Sequence, residues 1–157
     1  MRRGTHAPAQ FDIIYAFNAL YAFPDQQGAL DALRLAAKPD AILCLFDYLD
    51  RGGFTETRFA GKPETQLWRP LSMESLPSEL DETGWSLGEW LDISAHFETW
   101  YAELVNRFAM RRQQLLNLFA SELINCAEDY YCCLLEAIKA GALGGALVYA
   151  QAKSRNA

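Results

Sequence analysis

Two short apolar runs separated by one helical stretch constrain this chain more than any other feature. Phe11 to Phe17, FDIIYAF, is rich in isoleucine and aromatics. It is too short for a helix and suits a strand buried on both faces. Pro24 and Asp25 mark the turn that follows. Leu30, Leu33 and Ala37 then recur at helical spacing, and Lys38-Pro39-Asp40 stops the helix. Ala41 to Phe46 is a second apolar run of strand length. Two buried strands joined by one helix pair in parallel, because antiparallel neighbours need only a tight turn. This is half of a doubly wound sheet.

The rest of the chain continues the alternation. Met1 to Gln10 reads as a disordered or tag-like leader, residues 11–153 as a single α/β domain and residues 154–157 as a tail. Leu49 to Pro70 is a long loop, a length that suits a lid as well as a plain surface connection. Ser72 to Thr83 reads as a short helix, with Ser72 or Ser75 as cap and Gly84 as terminator. Trp85 to Ile93 reads as a third strand. Ser94 then caps a long amphipathic helix carried by Phe97, Tyr101, Leu104, Phe108 and Leu115 to about Phe119. Ser121 caps another, closed by Gly141, and Leu143 to Ala152 is a last strand. Strands separated by helices place the chain in the α/β class.

Composition narrows the functional classes. A hydrophobic content of 51% and a charged content of 22% over 157 residues belong to a folded domain with a proper core. The net charge of −6 argues against non-specific nucleic-acid binding. The one basic cluster, Arg107, Arg111 and Arg112, reads as a solvated helix face. Cys44, Cys126, Cys132 and Cys133 lack the ligand spacing of a zinc site and read as reduced thiols, so no metal is expected. No apolar run approaches the roughly 20 residues of a membrane span. Met1-Arg2-Arg3 leads into polar residues rather than a signal sequence, so a cytoplasmic protein without a membrane partner is expected.

The order of these pieces resembles a known family. FDIIYAFNALYAF, a helix, and LRLAAKPDAILCLFDY resemble the central part of class I S-adenosylmethionine-dependent methyltransferases. In that family a strand and a helix lead through a Lys-Pro-Gly turn into an apolar strand; here Asp40 stands in place of the glycine. LDETGWSLGEWLDIS resembles the approach to the family's sixth strand, and LGGALVYAQAK its seventh, antiparallel strand. The resemblance covers Phe11 to Lys153. It implies a partial Rossmann-like methyltransferase sheet of about four strands with flanking helices, the last strand antiparallel and two long helices inserted before it. It also implies S-adenosylmethionine as cofactor and a small-molecule methyl acceptor. One departure qualifies this. The family's glycine-rich loop and its ribose-binding acid should precede Phe11, and the ten residues there contain no GxGxG. The expectation is therefore a substrate-side C-terminal half, silent alone, with a missing N-terminal half as possible partner. The alternative is a non-catalytic methyltransferase-like module for dimerisation or for binding a small ligand or partner.

Ligands of doubly wound sheets sit beyond the carboxyl ends of the parallel strands. That rule selects Asn18 and Tyr21 after the first strand, and Asp47, Tyr48 and Asp50 after the second. Asn18 resembles the family position near the methionine end of the cofactor, and equally suits a turn cap. Asp47 suits a base or an amine-steering acid, and equally a solvated loop acid. His96 is the other candidate base, although a histidine in a helix's first turn is often a plain surface residue. Tyr21, Tyr48, Trp100 and Tyr101 are the candidate substrate contacts, with Tyr15 and Trp68 as further pocket walls or core rings. Phe11 to Phe17, lacking a neighbour on one side, would form an apolar edge. Self-association is expected through that edge or through the long helices.

Overall fold

The computed structural model describes residues 10–154. Apart from Gln10 and Ser154, the expected leader and tail lie outside the described residues. By its internal packing the chain divides into two compact units. The first comprises residues 10–49, 67–92 and 146–154, and the second residues 50–66 and 93–145.

The first unit is a four-stranded sheet with two helices on one face. Its elements are β1 (Phe11–Phe17), α1 (Gln26–Ala36), β2 (Ala37–Asp50), α2 (Leu76–Glu82), β3 (Trp85–Asp92) and the greater part of β4 (Leu143–Ala152). The strand order is β1-β2-β4-β3. β1 and β2 are parallel, as the single connecting helix requires, and β3 and β4 are antiparallel. Asp25 caps α1 by accepting from the Gly28 N–H at 2.8 Å. Leu30 and Leu33 of α1, and Leu76 and Leu80 of α2, pack with Leu43, Leu45, Val148 and Ala150 of the sheet. Trp85 is fully buried, and its indole N–H donates to the Leu30 carbonyl at 3.2 Å. Arg34 fastens α1 to the ends of β3 and β4. Its guanidinium donates to the carbonyls of Gly84 and Lys153 and lies 5.9 Å from the centre of the Trp85 ring.

Two features of this unit depart from the sequence reading. β2 begins at Ala37 rather than Ala41, so Lys38-Pro39-Asp40 lies inside the strand. Phe11 pairs with Ala37 but Ile13 pairs with Ile42, and the surplus β2 residues form a bulge. Asp40 takes a left-handed backbone (φ 61°), which aspartate tolerates better than most side chains, and Pro39 has no N–H to give the ladder. The second departure concerns β1. It is the edge of the sheet, and Phe11, Ile13, Tyr15 and Phe17 are 52%, 65%, 67% and 60% exposed. Only Ile14 and Ala16, on the opposite side of the strand, pack against the core. The expected burial on both faces fails because α1 and α2 both cover the same face.

The second unit is built on α3 (Ser94–Leu116) and α4 (Ser121–Lys139). Its helices start where the sequence indicates, but neither serine caps. The Ser94 hydroxyl is buried and accepts instead from the Gly145 N–H at 3.3 Å. The Ser121 side chain makes no capping hydrogen bond, and its hydroxyl turns to Glu122. The arginines of α3 are solvated as expected, with Arg107 and Arg111 exposed and Arg112 half-exposed. Arg107 pairs with Glu103, and Arg112 reaches α4, at 3.0 Å from Glu128 and 2.6 Å from Asn125.

The long loop is tied down on α4 across residues 50–66. Phe54 and Phe59 are buried, and the Phe59 ring centre lies 5.1 Å from that of Tyr130. Asp129 takes Arg58 at 2.6 Å and is also paired with Lys62. The Lys62 hydrogen bond holds the Asp129 carboxyl below its ordinary range, and the same bond raises Lys62. The Asp129 contribution is therefore present above the ordinary carboxyl range and is lost as pH falls through its lowered value. Asp129→Asn should make trypsin cut after Arg58 and Lys62 a few-fold faster at neutral pH, an effect of the size expected for exposed ion pairs. Acidification of the wild type should loosen the same segment. Equal cleavage of wild type and variant would show that the rings alone hold the loop.

Among the described residues, no helix is long and apolar enough to cross a membrane, and no group of side chains could hold a metal ion.

Candidate functional site

The first unit brings four of the sequence-selected residues together where β1 and β2 end. β1 finishes at Phe17, and the Asn18 N–H extends its ladder to the Phe46 carbonyl at 2.7 Å. Asn18 then takes a left-handed conformation (φ 43°), which turns the chain over the end of β2. The following residues form a short 3-10 turn, Leu20–Ala22.

Asp47 holds that turn in place. It is fully buried, and one carboxylate oxygen accepts from the backbone N–H groups of Leu20 at 2.7 Å, Ala19 at 3.2 Å and Tyr21 at 3.3 Å. The other accepts from the Tyr48 N–H at 2.8 Å. Burial pushes the carboxyl above its ordinary range, and these backbone hydrogen bonds oppose the shift. With its acceptor capacity turned on backbone donors, Asp47 is arranged to position the turn.

Gln26 is a residue that sequence reasoning missed. Its side-chain amide donates to the Leu20 carbonyl at 3.0 Å and the Arg69 carbonyl at 2.6 Å. The Arg69 N–H donates in turn to the Tyr21 carbonyl at 2.8 Å. The segment after Gln66 is thereby laid beside the turn. This sets Trp68 against Tyr21 and Tyr48, with ring centres 4.1 Å and 4.7 Å away, while Tyr21 meets Tyr48 edge-on at 4.9 Å. The three rings pack on one another, with Tyr48 buried and Tyr21 and Trp68 half-buried.

Within this arrangement one atom is unsatisfied. The Asn18 Oδ1 is buried and has no hydrogen-bond donor. A buried acceptor without a partner costs about 1–3 kcal/mol, so such an atom in a folded protein calls for a donor. Asn18 sits at the carboxyl ends of parallel strands, where ligands of α/β sheets bind.

The remaining candidates lie in the second unit, on the first turns of α3. His96 is exposed, Trp100 is half-exposed and Tyr101 is buried. Phe97, Trp100 and Tyr101 pack ring on ring, and Tyr101 stacks with Tyr131 of α4 at 6.5 Å. Tyr15 projects from the exposed side of β1, 5.2 Å from the Phe17 ring. The thiols of Cys44, Cys132 and Cys133 are pushed above their ordinary value by burial, as unreactive thiols are.

No family model and no curated protein matches this chain. Solved structures do. A protein assigned as a sarcosine dimethylglycine methyltransferase from Galdieria sulphuraria superposes with a TM-score of 0.83 and 14% identity, over 95% of this chain and 55% of its own. Phosphoethanolamine N-methyltransferase 2 from Haemonchus contortus, in complex with phosphomonomethylethanolamine and S-adenosylhomocysteine, gives 0.81 and 16%, over 95% of this chain and 35% of its own. The cyclopropane synthase MmaA2 from Mycobacterium tuberculosis gives 0.80 and 12%, over 92% of this chain and 56% of its own. The match in each case takes nearly all of this chain and about a third to a little over half of the other. The chain therefore has the fold of class I S-adenosylmethionine-dependent methyltransferases, over a span matching only part of the length of such proteins.

Proposed function

We propose that this chain is the acceptor-side part of an S-adenosylmethionine-dependent methyltransferase acting on a small molecule. The observation that carries the reading is the buried, unpartnered Oδ1 of Asn18, at the carboxyl end of a parallel strand in this fold. That atom fits an N–H donor such as the ammonium at the methionine end of the cofactor. Asn18 would hold that end, and the Asp47 clamp would keep Asn18 and Tyr21 in place. When bound, the cofactor supplies a sulfonium-activated methyl group for in-line displacement. Methyl transfer then needs a nucleophile held close and aligned, which is work for positioning groups. Within the first unit, the half-buried Tyr21 and Trp68, packed on the buried Tyr48, are the candidate aromatic contacts for the acceptor. An aromatic face contributes about 0.5–2 kcal/mol to a cationic ligand, which favours an amine acceptor. His96, exposed in the first turn of α3, is the candidate base.

No GxGxG sequence follows a strand among the described residues. This supports the second reading, a non-catalytic module of the same fold that binds a small ligand or a partner. Calorimetric titration of S-adenosylmethionine into wild type and Asn18→Ala separates the two. Weak, saturable binding with one site per chain, lost in Asn18→Ala, is expected. Absence of heat at millimolar ligand would favour the non-catalytic module, and binding untouched by Asn18→Ala would remove Asn18 from the cofactor site.

A further inference from the structure

We infer that Gln26 couples the ligand site at Asn18 to the segment that carries Trp68, so that a ligand seated on Asn18 tightens residues 67–71. The inference rests on the cofactor-holding role proposed for Asn18, and names how that site is kept in order. Every residue it uses belongs to the first unit. Leu20 and Arg69 are each held at both ends of their backbone. The Leu20 N–H donates to Asp47 at 2.7 Å, and its carbonyl accepts from the Gln26 amide at 3.0 Å. The Arg69 N–H donates to the Tyr21 carbonyl at 2.8 Å, and its own carbonyl accepts from the same Gln26 amide at 2.6 Å. A side-chain amide nitrogen carries two N–H donors, and here one goes to each segment. Because Leu20 and Tyr21 are consecutive, the bonds close a ring: Gln26 to Leu20, along the chain to Tyr21, across to Arg69 and back to Gln26. Two residues on, the Leu71 N–H donates to the Tyr48 carbonyl at 2.8 Å, and Leu71 forms a parallel bridge with Leu49 of β2.

Bonds in a closed ring support one another, since opening one frees the segment that the next must hold. They are not equally secure. The bond from Gln26 to Leu20 is part-buried, whereas the bond to Arg69 is exposed, where water competes for both partners. Residues 67–71 are therefore the side of the ring that opens first. Asn18 stands on the other side, two residues before Leu20, in a left-handed conformation that is uncommon outside glycine and that the turn keeps in place. A donor bound to the buried Asn18 Oδ1 would fix Asn18 and, through it, the turn. Each opening of the ring would then work against the ligand as well as against its own bonds. The coupling is reciprocal, so loosening the ring at Gln26 weakens the ligand by the factor that the ligand would otherwise tighten the ring.

Amide hydrogen exchange on the isotope-labelled full chain, read residue by residue by NMR with and without S-adenosylmethionine, tests this. The variant is Gln26→Met, which keeps the side-chain length and removes both donors. In wild type, saturating ligand is expected to slow exchange at the Arg69 N–H by about threefold or more. In Gln26→Met, Arg69 of the free protein should exchange faster, while the buried Val148 of β4 is unchanged. Ligand should no longer protect Arg69 there, and calorimetry should show affinity weakened by about threefold to tenfold, the scale of one ordinary hydrogen bond. Gln26→Glu, which also lacks donors at neutral pH, should behave alike and serves if the methionine variant does not fold. A merely structural role for Gln26 would speed exchange equally with and without ligand, and would leave the ligand's protection of Arg69 in place. Protection that persists in the variants overturns the inference. So does binding that leaves Arg69 unprotected in wild type, and both results spare the cofactor reading. A wild type that binds no S-adenosylmethionine overturns that reading and this inference together.

Discussion

Asp47→Ala is expected to lower the stability of the chain by about 3–5 kcal/mol, since each buried donor left without an acceptor costs about 1–3 kcal/mol. Four backbone N–H groups converge on this carboxyl, three of them from the turn that follows Asn18. Only Leu20 among those three is fully buried, so water recovers part of the loss at Ala19 and Tyr21. Asp47→Asn keeps one acceptor oxygen but turns an amide donor towards another donor, and should cost about 1–2 kcal/mol. Urea denaturation with an unchanged slope would read both values as true stability differences. An alanine variant within about 0.5 kcal/mol of wild type, the range of an ordinary surface substitution, would mean the turn is held by its rings and by Gln26. The pH dependence has a definite sign. Burial raises the Asp47 pKa, so the folded chain holds this proton more tightly than the unfolded chain does. The associated stability is fully present below the ordinary carboxyl range and is lost as pH rises through the raised value. The deficit of Asp47→Asn should therefore be widest in acid and narrow towards neutrality.

The position of this site was legible in the sequence, and its inner workings were not. Two apolar runs and a helix were enough to make β1 and β2 parallel, and the carboxyl-end rule then selected Asn18, Tyr21, Asp47 and Tyr48. What Asp47 does could not be read, because its partners are backbone amides far upstream, which any residues would supply equally well. Gln26 was invisible for a related reason, as it bonds only to carbonyls. The same limit explains the unused caps. A serine before an apolar run signals a helix start, but Ser94 spends its hydroxyl on Gly145, a tertiary partner outside the local pattern. Lys38-Pro39-Asp40 reads as a helix stop followed by a turn, and only the left-handed Asp40 reveals that the strand absorbs it as a bulge. β1 is the most instructive case. A continuous apolar run signals two covered faces, and the run itself is silent about what does the covering. Here one face is met by α1, and the other is exposed among the described residues.

Gly145→Ala should destabilise the second unit by about 1–3 kcal/mol, the usual cost of forcing extra volume into a packed site. A Cβ at position 145 would stand 2.7 Å from Cζ of Phe97, and nearer still to two other ring atoms. Phe97 is 1% exposed, so its ring has little room to retreat. The neighbouring Gly144 is equally constrained, with a Cβ there falling 2.7 Å from that of Ser94. The glycine pair thus lets the first turn of α3 lie directly on the start of β4, where the Gly145 N–H reaches Ser94 and its carbonyl takes the Ile93 N–H at 2.8 Å. That turn is also the base from which His96, Trp100 and Tyr101 project. Displacing it would move all three together, so the same variant should alter the environment of Trp100 as well as lowering Tm by several degrees. The clash can be told apart from a general weakening of the strand. Phe97→Leu removes the ring atoms that an added methyl would meet, so Gly145→Ala and Phe97→Leu combined should cost less than the sum of the two by about 1 kcal/mol. Strict additivity would mean that alanine harms the strand through its own backbone preference, and that the close approach of α3 is not what the glycine is for.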